Sequence, residues 1–256
     1  MILLRRALFA AALMFAAIAA LTQPGRAESC NREAYENTNY IICDAKADGL
    51  HLFWKNADGE PYRNFSNLSD VAASRGKTLF FALNAGMYQP DFSPMGLYVE
   101  DGRELRPASK TTAVHRSGPV PNFYKKPNGV FYLGEKGAEI LATDRFLKQK
   151  IKPRLATQSG PMLVIRNRIN PIFIVGSTDR TRRSGVGVCD GGAIRFAVSE
   201  DAINFHDFAK LFRDHLKCAN ALFLDGGGGA GIYVPALERN DISWHGGYGP
   251  MFGFVE

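Results

Sequence analysis

The chain has 256 residues, of which 46% are hydrophobic, 22% charged and 11% aromatic, with 26 Gly, 13 Pro and a formal charge of +6. That balance excludes a disordered tail, a coiled coil, a collagen-like repeat and a polytopic membrane protein, and it allows one sizeable core. The positive charge, taken alone, points to nucleic acid or another polyanion as partner.

Arg5 and Arg6 precede an uncharged run from Ala7 to Leu21, and Gly25-Arg26-Ala27 supplies a small-x-small triplet. A basic start, a short apolar segment and a cleavage site after Ala27 predict a secretory signal peptide over residues 1–27. The run is shorter than the ~20 apolar residues of a membrane span, so no stable span is expected after cleavage. Its removal takes away Arg5, Arg6 and Arg26 and leaves +3. Lys and Arg are not gathered into blocks interleaved with aromatics, so nucleic acid drops out as an expected partner. The expected destination is the periplasm or the exterior. In such an oxidising compartment Cys30, Cys43, Cys189 and Cys218 predict two disulfides, most simply Cys30–Cys43 and Cys189–Cys218 among three connectivities. With neither C-x-x-C nor H-x-x-x-H in the sequence, zinc is disfavoured.

In chain order, Tyr40-Ile41-Ile42-Cys43 and Leu50-His51-Leu52-Phe53-Trp54 predict short strands joined through Lys46-Ala47-Asp48-Gly49. Asn67 is the expected cap of a helix carrying Leu68, Val71 and Ala72 on one face and stopping at Gly76. A strand over residues 78–83 then delivers Asn84-Ala85-Gly86 to its end. Short β-rich runs around Tyr98, Phe131 and Leu163 alternate with Gly and Asn turns. Phe205, Phe208, Ala209, Phe212 and Leu216 recur at helical spacing behind Asn204. Ala221-Leu222-Phe223-Leu224 reads as a buried strand that ends in Asp225 and four glycines. The expected fold is α+β, with largely antiparallel or mixed sheets and a few packed helices in a single compact domain over residues 28–256.

Four polar islands sit at predicted strand ends. Asp225 at the mouth of Gly226-Gly227-Gly228-Gly229 can be desolvated and closely approached, because glycine removes side-chain bulk. The spacing of Gly226, Gly228 and Gly231 formally fits a dinucleotide fingerprint, but Ile232-Tyr233-Val234 continues as a strand where that motif needs a helix. Asn84 and Gly86 form a second island, with Asp91 shortly after. Gln158 and Ser159 form a third; Ser159 lacks the flanking glycines of a nucleophile elbow. Arg180, Arg182 and Arg183 could clamp a phosphate, since a guanidinium matches two phosphate oxygens, or in part be solvated charges. Of the histidines, His206 and His215 ride on the predicted helix and His51 and His115 fall in strands or loops. Only His245 lies in a Gly-rich polar loop, where it could act as acid or base.

Read in order, Asn84-Ala85-Gly86-Met87-Tyr88, Pro94-Met95-Gly96-Leu97, Gln158-Ser159-Gly160-Pro161, Arg183-Ser184-Gly185-Val186-Gly187 and Leu224-Asp225-Gly226-Gly227 resemble the phosphodiester glycosidase family. That family includes N-acetylglucosamine-1-phosphodiester α-N-acetylglucosaminidase, and the match is to its small exported bacterial branch. The resemblance implies a hydrolase acting on a sugar-1-phosphodiester or other phosphate-containing glycan. It implies that Arg183 neutralises the phosphate and that Asp225 serves as nucleophile, base or electrostatic partner. Asn84 and Gln158 would orient sugar hydroxyls, with Ser159 and His245 also at the substrate. Gly86, Gly226, Gly227 and Gly228 would let backbone N–H groups approach it. If the P–O bond breaks, a divalent cation such as Mg²⁺ or Ca²⁺ on Asp225 and Asp91 would be expected; C–O cleavage needs none. Gly228-Gly229-Ala230 stands where many relatives have Gly-Ser-Ser/Thr, which opens an alternative: a non-catalytic envelope protein that binds the same glycan in the same cleft.

Overall fold

The computed structural model describes residues 30–111 and 119–256; the predicted signal peptide and His115 lie outside the described residues. The chain begins with β1 (Cys30–Tyr35), β2 (Thr38–Ala45) and β3 (Leu50–Phe53), then α1 (Phe65–Ser74) and β4 (Leu79–Asn84). Next come β5 (Tyr98–Glu100), β6 (Arg103–Arg106), β7 (Gly129–Gly134), β8 (Gly137–Ala142) and α2 (Thr143–Lys148). They lead to β9 (Leu155–Ser159), β10 (Met162–Ile165), β11 (Arg168–Ile169), β12 (Arg183–Cys189) and β13 (Ile194–Ser199). The last part holds α3 (Phe205–Lys210), β14 (Cys218–Gly226), β15 (Ile232–Val234), β16 (Arg239–Asn240) and β17 (Met251–Val255).

The strands form three sheets: β1-β2-β13-β12-β14-β10-β11, β16-β15-β4-β17-β3 and β6-β5-β9-β7-β8. Every strand pairing among the described residues is antiparallel, so the expected α+β fold is the one observed. A shared core fills the space between the sheets, where Phe131, Phe196 and Phe252 meet from one strand of each; Phe196 and Phe252 are 4.9 Å apart between ring centroids. Alternation along β14 shows how one strand serves two layers. Leu222 and Leu224 face the shared core, while Ala221 and Phe223 face a second cluster with Phe208 and Phe212 beneath α3. In the same way α1 covers the sheet containing β4 and α2 the sheet containing β7. The central strands of each sheet are thus buried on both faces, which explains why they read as nearly continuous apolar runs, while edge strands such as β1 and β6 stay polar and exposed.

Helix α3 starts as expected, with Asn204 Oδ1 accepting the Asp207 N–H at 2.8 Å. It continues through a wider π turn at Leu211–His215, which brings Phe212 over β12. Gly185 and Gly187 make room there: a Cβ at either would lie 3.0 or 2.8 Å from the Phe212 ring. Helix α1 differs from expectation. Its cap is Asn64, whose Oδ1 accepts the Asn67 N–H at 2.8 Å, so the helix begins at Phe65. The earlier start places Phe65 against Tyr248, with ring centroids 4.5 Å apart, a contact that a helix beginning after Asn67 would lose. Disulfides join Cys30 to Cys43 across β1–β2 and Cys189 to Cys218 across β12–β14, the pairing expected from the sequence. Among the described residues no helix is long and apolar enough to cross a membrane.

Candidate active site

Two sheets bring their strand ends to one place. In the seven-stranded sheet Ser184 pairs with Asp225 and Arg183 with Gly226. In the neighbouring sheet Asn84, at the end of β4, pairs with Met251 at the start of β17. Ser184 holds the Asp225 backbone on both sides: its hydroxyl donates to the Asp225 carbonyl at 3.0 Å and accepts the Asp225 N–H at 3.2 Å. The carboxylate receives the Gly226 N–H on Oδ1 at 2.8 Å. Gly229 closes over the other side, where a Cβ would stand 2.2 Å from Oδ2, so only glycine fits.

Burial pushes the Asp225 carboxyl up to about 7, and the Gly226 hydrogen bond opposes the shift only in part. Among the described residues no cation offsets this charge. A carboxyl with this pKa is poised to exchange a proton at neutral pH, the property required of a general acid or base.

The surrounding groups come from the end of β4 with the segment that follows it, and from the loop that carries Trp244 and His245. Asn84 is fully buried; its Oδ1 accepts the Gly231 N–H at 3.2 Å and its Nδ2 has no partner among the described residues. Such an orphaned donor costs about 1–3 kcal/mol unless a ligand or water meets it. The Tyr88 hydroxyl donates to the Gly247 carbonyl at 2.8 Å. Burial raises the Tyr88 pKa and the Asp225 charge raises it further, so this phenol lies within electrostatic reach of the carboxylate. His245 is exposed and packs its imidazole on Gly228, whose Cβ would lie 3.1 Å from Nε2. Beside it, Trp244 is 93% exposed.

The polar residues of β9 turn inward instead of toward a ligand. Thr157 donates to the Ala85 carbonyl at 2.6 Å and Ser159 to the Leu224 carbonyl at 2.8 Å. Gln158 was expected to orient a sugar, but its Oε1 accepts the Leu97 and Ser109 N–H groups and its Nε2 donates to the Ser109 carbonyl and Thr143 Oγ1. With its hydrogen-bonding capacity taken up, Gln158 ties loops together, and Ser159 fixes the residue that precedes Asp225. Gly86, at φ +135°, lies against Thr157 and Ser159 in this joint.

The three arginines do not form one clamp. Arg180 is exposed and meets Asp207 at 3.5 Å. Arg182 donates to the Ser199 and Ala230 carbonyls and to Asp241, which also binds Arg239 and the Ile232 N–H; together these fix the glycine loop from behind. Arg183 is 1% exposed, with its Cζ 3.7 Å from the centroid of Phe205. It donates to the Ile203 carbonyl at 2.8 Å and the Asp179 carbonyl at 3.2 Å, and burial lowers its pKa to about 10. The expected direct grip on phosphate is therefore replaced, in this geometry, by a guanidinium enclosed in protein that holds the 179–183 turn. Asp91 is exposed and caps Ser93 through its N–H and hydroxyl. Among the described residues no three His, Cys, Asp or Glu side chains gather as a metal-binding group.

Sequence reading missed Tyr88, Ser184, Asp241 and Trp244. Tyr88 and Ser184 stand inside motifs already singled out, so their position was the available signal.

The fold and this site define an antiparallel α+β protein that presents a partly buried carboxyl of raised pKa at a glycine-lined strand exit. The chain belongs to the phosphodiester glycosidase family, whose model matches residues 77–249. It is 32% identical over 181 residues to YigE, an uncharacterised protein of Escherichia coli K12, covering 71% of this chain and 68% of YigE. Its fold is similar to the catalytic domain of zebrafish N-acetylglucosamine-1-phosphodiester α-N-acetylglucosaminidase, auto-inhibited by its pro-peptide. That match has a TM-score of 0.59 at 14% identity, covering 88% of this chain and 81% of that one. A hypothetical protein from Synechocystis matches with a TM-score of 0.51 at 14% identity, over 88% of this chain and 61% of that one.

Proposed function

We propose that this protein is an exported hydrolase that cleaves the C–O bond of a sugar-1-phosphodiester, with Asp225 as general base. The observation that carries the reading is the partly buried carboxyl, enclosed by Gly226 and Gly229 and with a pKa of about 7, at the glycine loop of a phosphodiester glycosidase. Ionised Asp225 takes a proton from water as the water attacks the anomeric carbon, and the phosphate monoester departs with the bonding electrons. Because that leaving group is already a stable anion, it needs little of the protonation that ordinary glycoside cleavage demands. Asn84 lends its unpaired Nδ2 donor, Tyr88 supports the loop next to the carboxylate, and Trp244 offers a flat apolar face to a sugar ring. Arg183, Gln158 and Ser159 act as positioning residues. Two disulfides suit a periplasmic or secreted protein, and the domain follows a signal peptide at 1–27.

The test is hydrolysis of sugar-1-phosphodiesters in ¹⁸O water by the purified mature protein. Label in the free sugar supports C–O cleavage; label in the phosphate refutes the assigned role of Asp225. Saturable glycan binding without turnover would instead identify a non-catalytic binder.

A further inference from the structure

A pocket of about 370 Å³ lies between β3, helix α1 and the turn that follows β5, and it shares no residue with the Asp225 site. Sites that enclose a small organic molecule typically span about 300–1,000 Å³. The floor is apolar: Leu52, Leu68, Ala72 and Val255 are buried there, and Phe53 meets Tyr62 edge-on at 6.3 Å between ring centroids.

One wall carries an acid that the fold holds in place. Glu100 is half-buried, and its Oε2 accepts the hydroxyl of the fully buried Tyr98 at 2.7 Å. Its Oε1 takes no hydrogen bond from another described residue, and among the described residues no Lys or Arg forms an ion pair with it. Burial raises its pKa, the mark of a carboxylate short of a positive partner. The rim, by contrast, is basic. Lys55, Arg75 and Lys77 line it and are exposed, and the side chains of Arg75 and Lys77 form no hydrogen bond or ion pair with a described residue. Burial raises the Tyr62 pKa, the Arg75 charge lowers it and the Glu100 charge raises it, so a cation and a carboxylate both lie within electrostatic reach of one phenol at the pocket floor. Opposite charges thus share an apolar pocket without neutralising each other. A ligand bearing an ammonium alone would meet Glu100 but also the three cations of the rim; a carboxylate on the same ligand turns that repulsion into attraction.

We propose that this pocket binds a free amino acid with an aliphatic side chain, its ammonium on Glu100, its carboxylate on Arg75 and its side chain on Leu68, Ala72 and Val255. The site is separate from the hydrolytic reading of Asp225 and stands or falls without it.

L-Leucine, glycine, N-acetyl-L-leucine and L-leucinamide, each titrated calorimetrically into the mature protein, test it. Leucine should bind saturably at millimolar concentration or below. Glycine lacks the side chain and should bind at least about tenfold more weakly, since burying a leucine side chain changes affinity by roughly that factor or more. Acetylation removes the ammonium and amidation the carboxylate; each leaves one charged partner unmet and should weaken binding at least about tenfold. Either blocked form binding as tightly as leucine overturns the assignment, and so does glycine binding as tightly. Glu100→Gln keeps the shape and an acceptor for Tyr98, and Arg75→Ala alters an exposed side chain, so both variants should fold. Each should weaken leucine at least about fivefold. Wild-type affinity in either variant, or no saturable leucine binding to the wild-type protein, overturns the inference. Hydrolysis of a sugar-1-phosphodiester, present or absent, changes none of these titrations.

Discussion

Replacing Asp225 by Asn should stabilise the protein at neutral and alkaline pH. The carboxyl moves from an ordinary value of 3.8 to about 7 on folding, because the folded site disfavours its charge. Below about pH 4 the group is protonated in both the folded and unfolded chain and contributes no penalty. As pH rises the unfolded chain ionises first, so stability falls between about pH 4 and 7 and then levels off. A difference of about three pKa values corresponds to roughly 4 kcal/mol lost above pH 7. Asparagine keeps the shape and carries no charge, so the variant should match the wild type near pH 4 and exceed it by up to roughly 4 kcal/mol at pH 8. At ~2–4 °C per kcal/mol for a chain of this size, the melting temperatures should separate by roughly 8–16 °C at pH 8. Thermal unfolding of both proteins across pH 4–9, followed by circular dichroism, provides the comparison. Parallel curves over the whole range would refute the idea that folding buries an uncompensated carboxylate.

Turnover should follow the same titration in the opposite sense. Wild-type kcat/KM falls about tenfold per pH unit below about 7 and is flat above it, and Asp225→Asn loses at least ~100-fold at every pH. Ser159→Ala strands the Leu224 carbonyl, so urea unfolding should show a loss of roughly 1–3 kcal/mol, while Ser159→Thr should recover part of it. Trp244→Ala should raise KM with little change in kcat. Because the other tryptophan, Trp54, is buried, sugar binding should show as protection of Trp244 fluorescence from acrylamide. Treatment with a chelator should leave the rate unchanged, and restoration of a lost rate by Mg²⁺ or Ca²⁺ would contradict the metal-free route.

Much of the architecture was legible because it rests on local pattern. A continuous apolar run ending in Asp225 located β14, Asn204 announced α3, and four cysteines behind a predicted signal peptide pointed to the two bonds observed. The position of Asp225 was visible as well, since a strand running into four glycines leaves few other ways to present a carboxylate. The direction of neighbouring side chains was not visible. Thr157, Gln158 and Ser159 looked like a ligand surface because they are polar at a strand end. They lie where all three sheets approach one another, and there polar side chains are needed to satisfy main-chain groups that leave their ladders. Arg182 and Arg183 are likewise adjacent in sequence, yet successive residues of a strand point to opposite faces, which sends one to the glycine loop and the other beneath Phe205.

Both disulfides belong to the seven-stranded sheet, and Cys189–Cys218 sits at the far end of the two strands whose near ends carry Arg183 and Asp225. It works like the rivet of a pair of tongs, so the spacing at the tips depends on a bond made several residues away. The crosslinks span sequence separations of 13 and 29 residues. By chain entropy they contribute roughly 3 and 4 kcal/mol, together comparable with the ~5–15 kcal/mol margin of a whole folded domain. Reduction of both bonds should therefore remove a share of stability of that size. The crosslink that holds the Arg183 and Asp225 strands together is thus a property of the compartment as much as of the sequence.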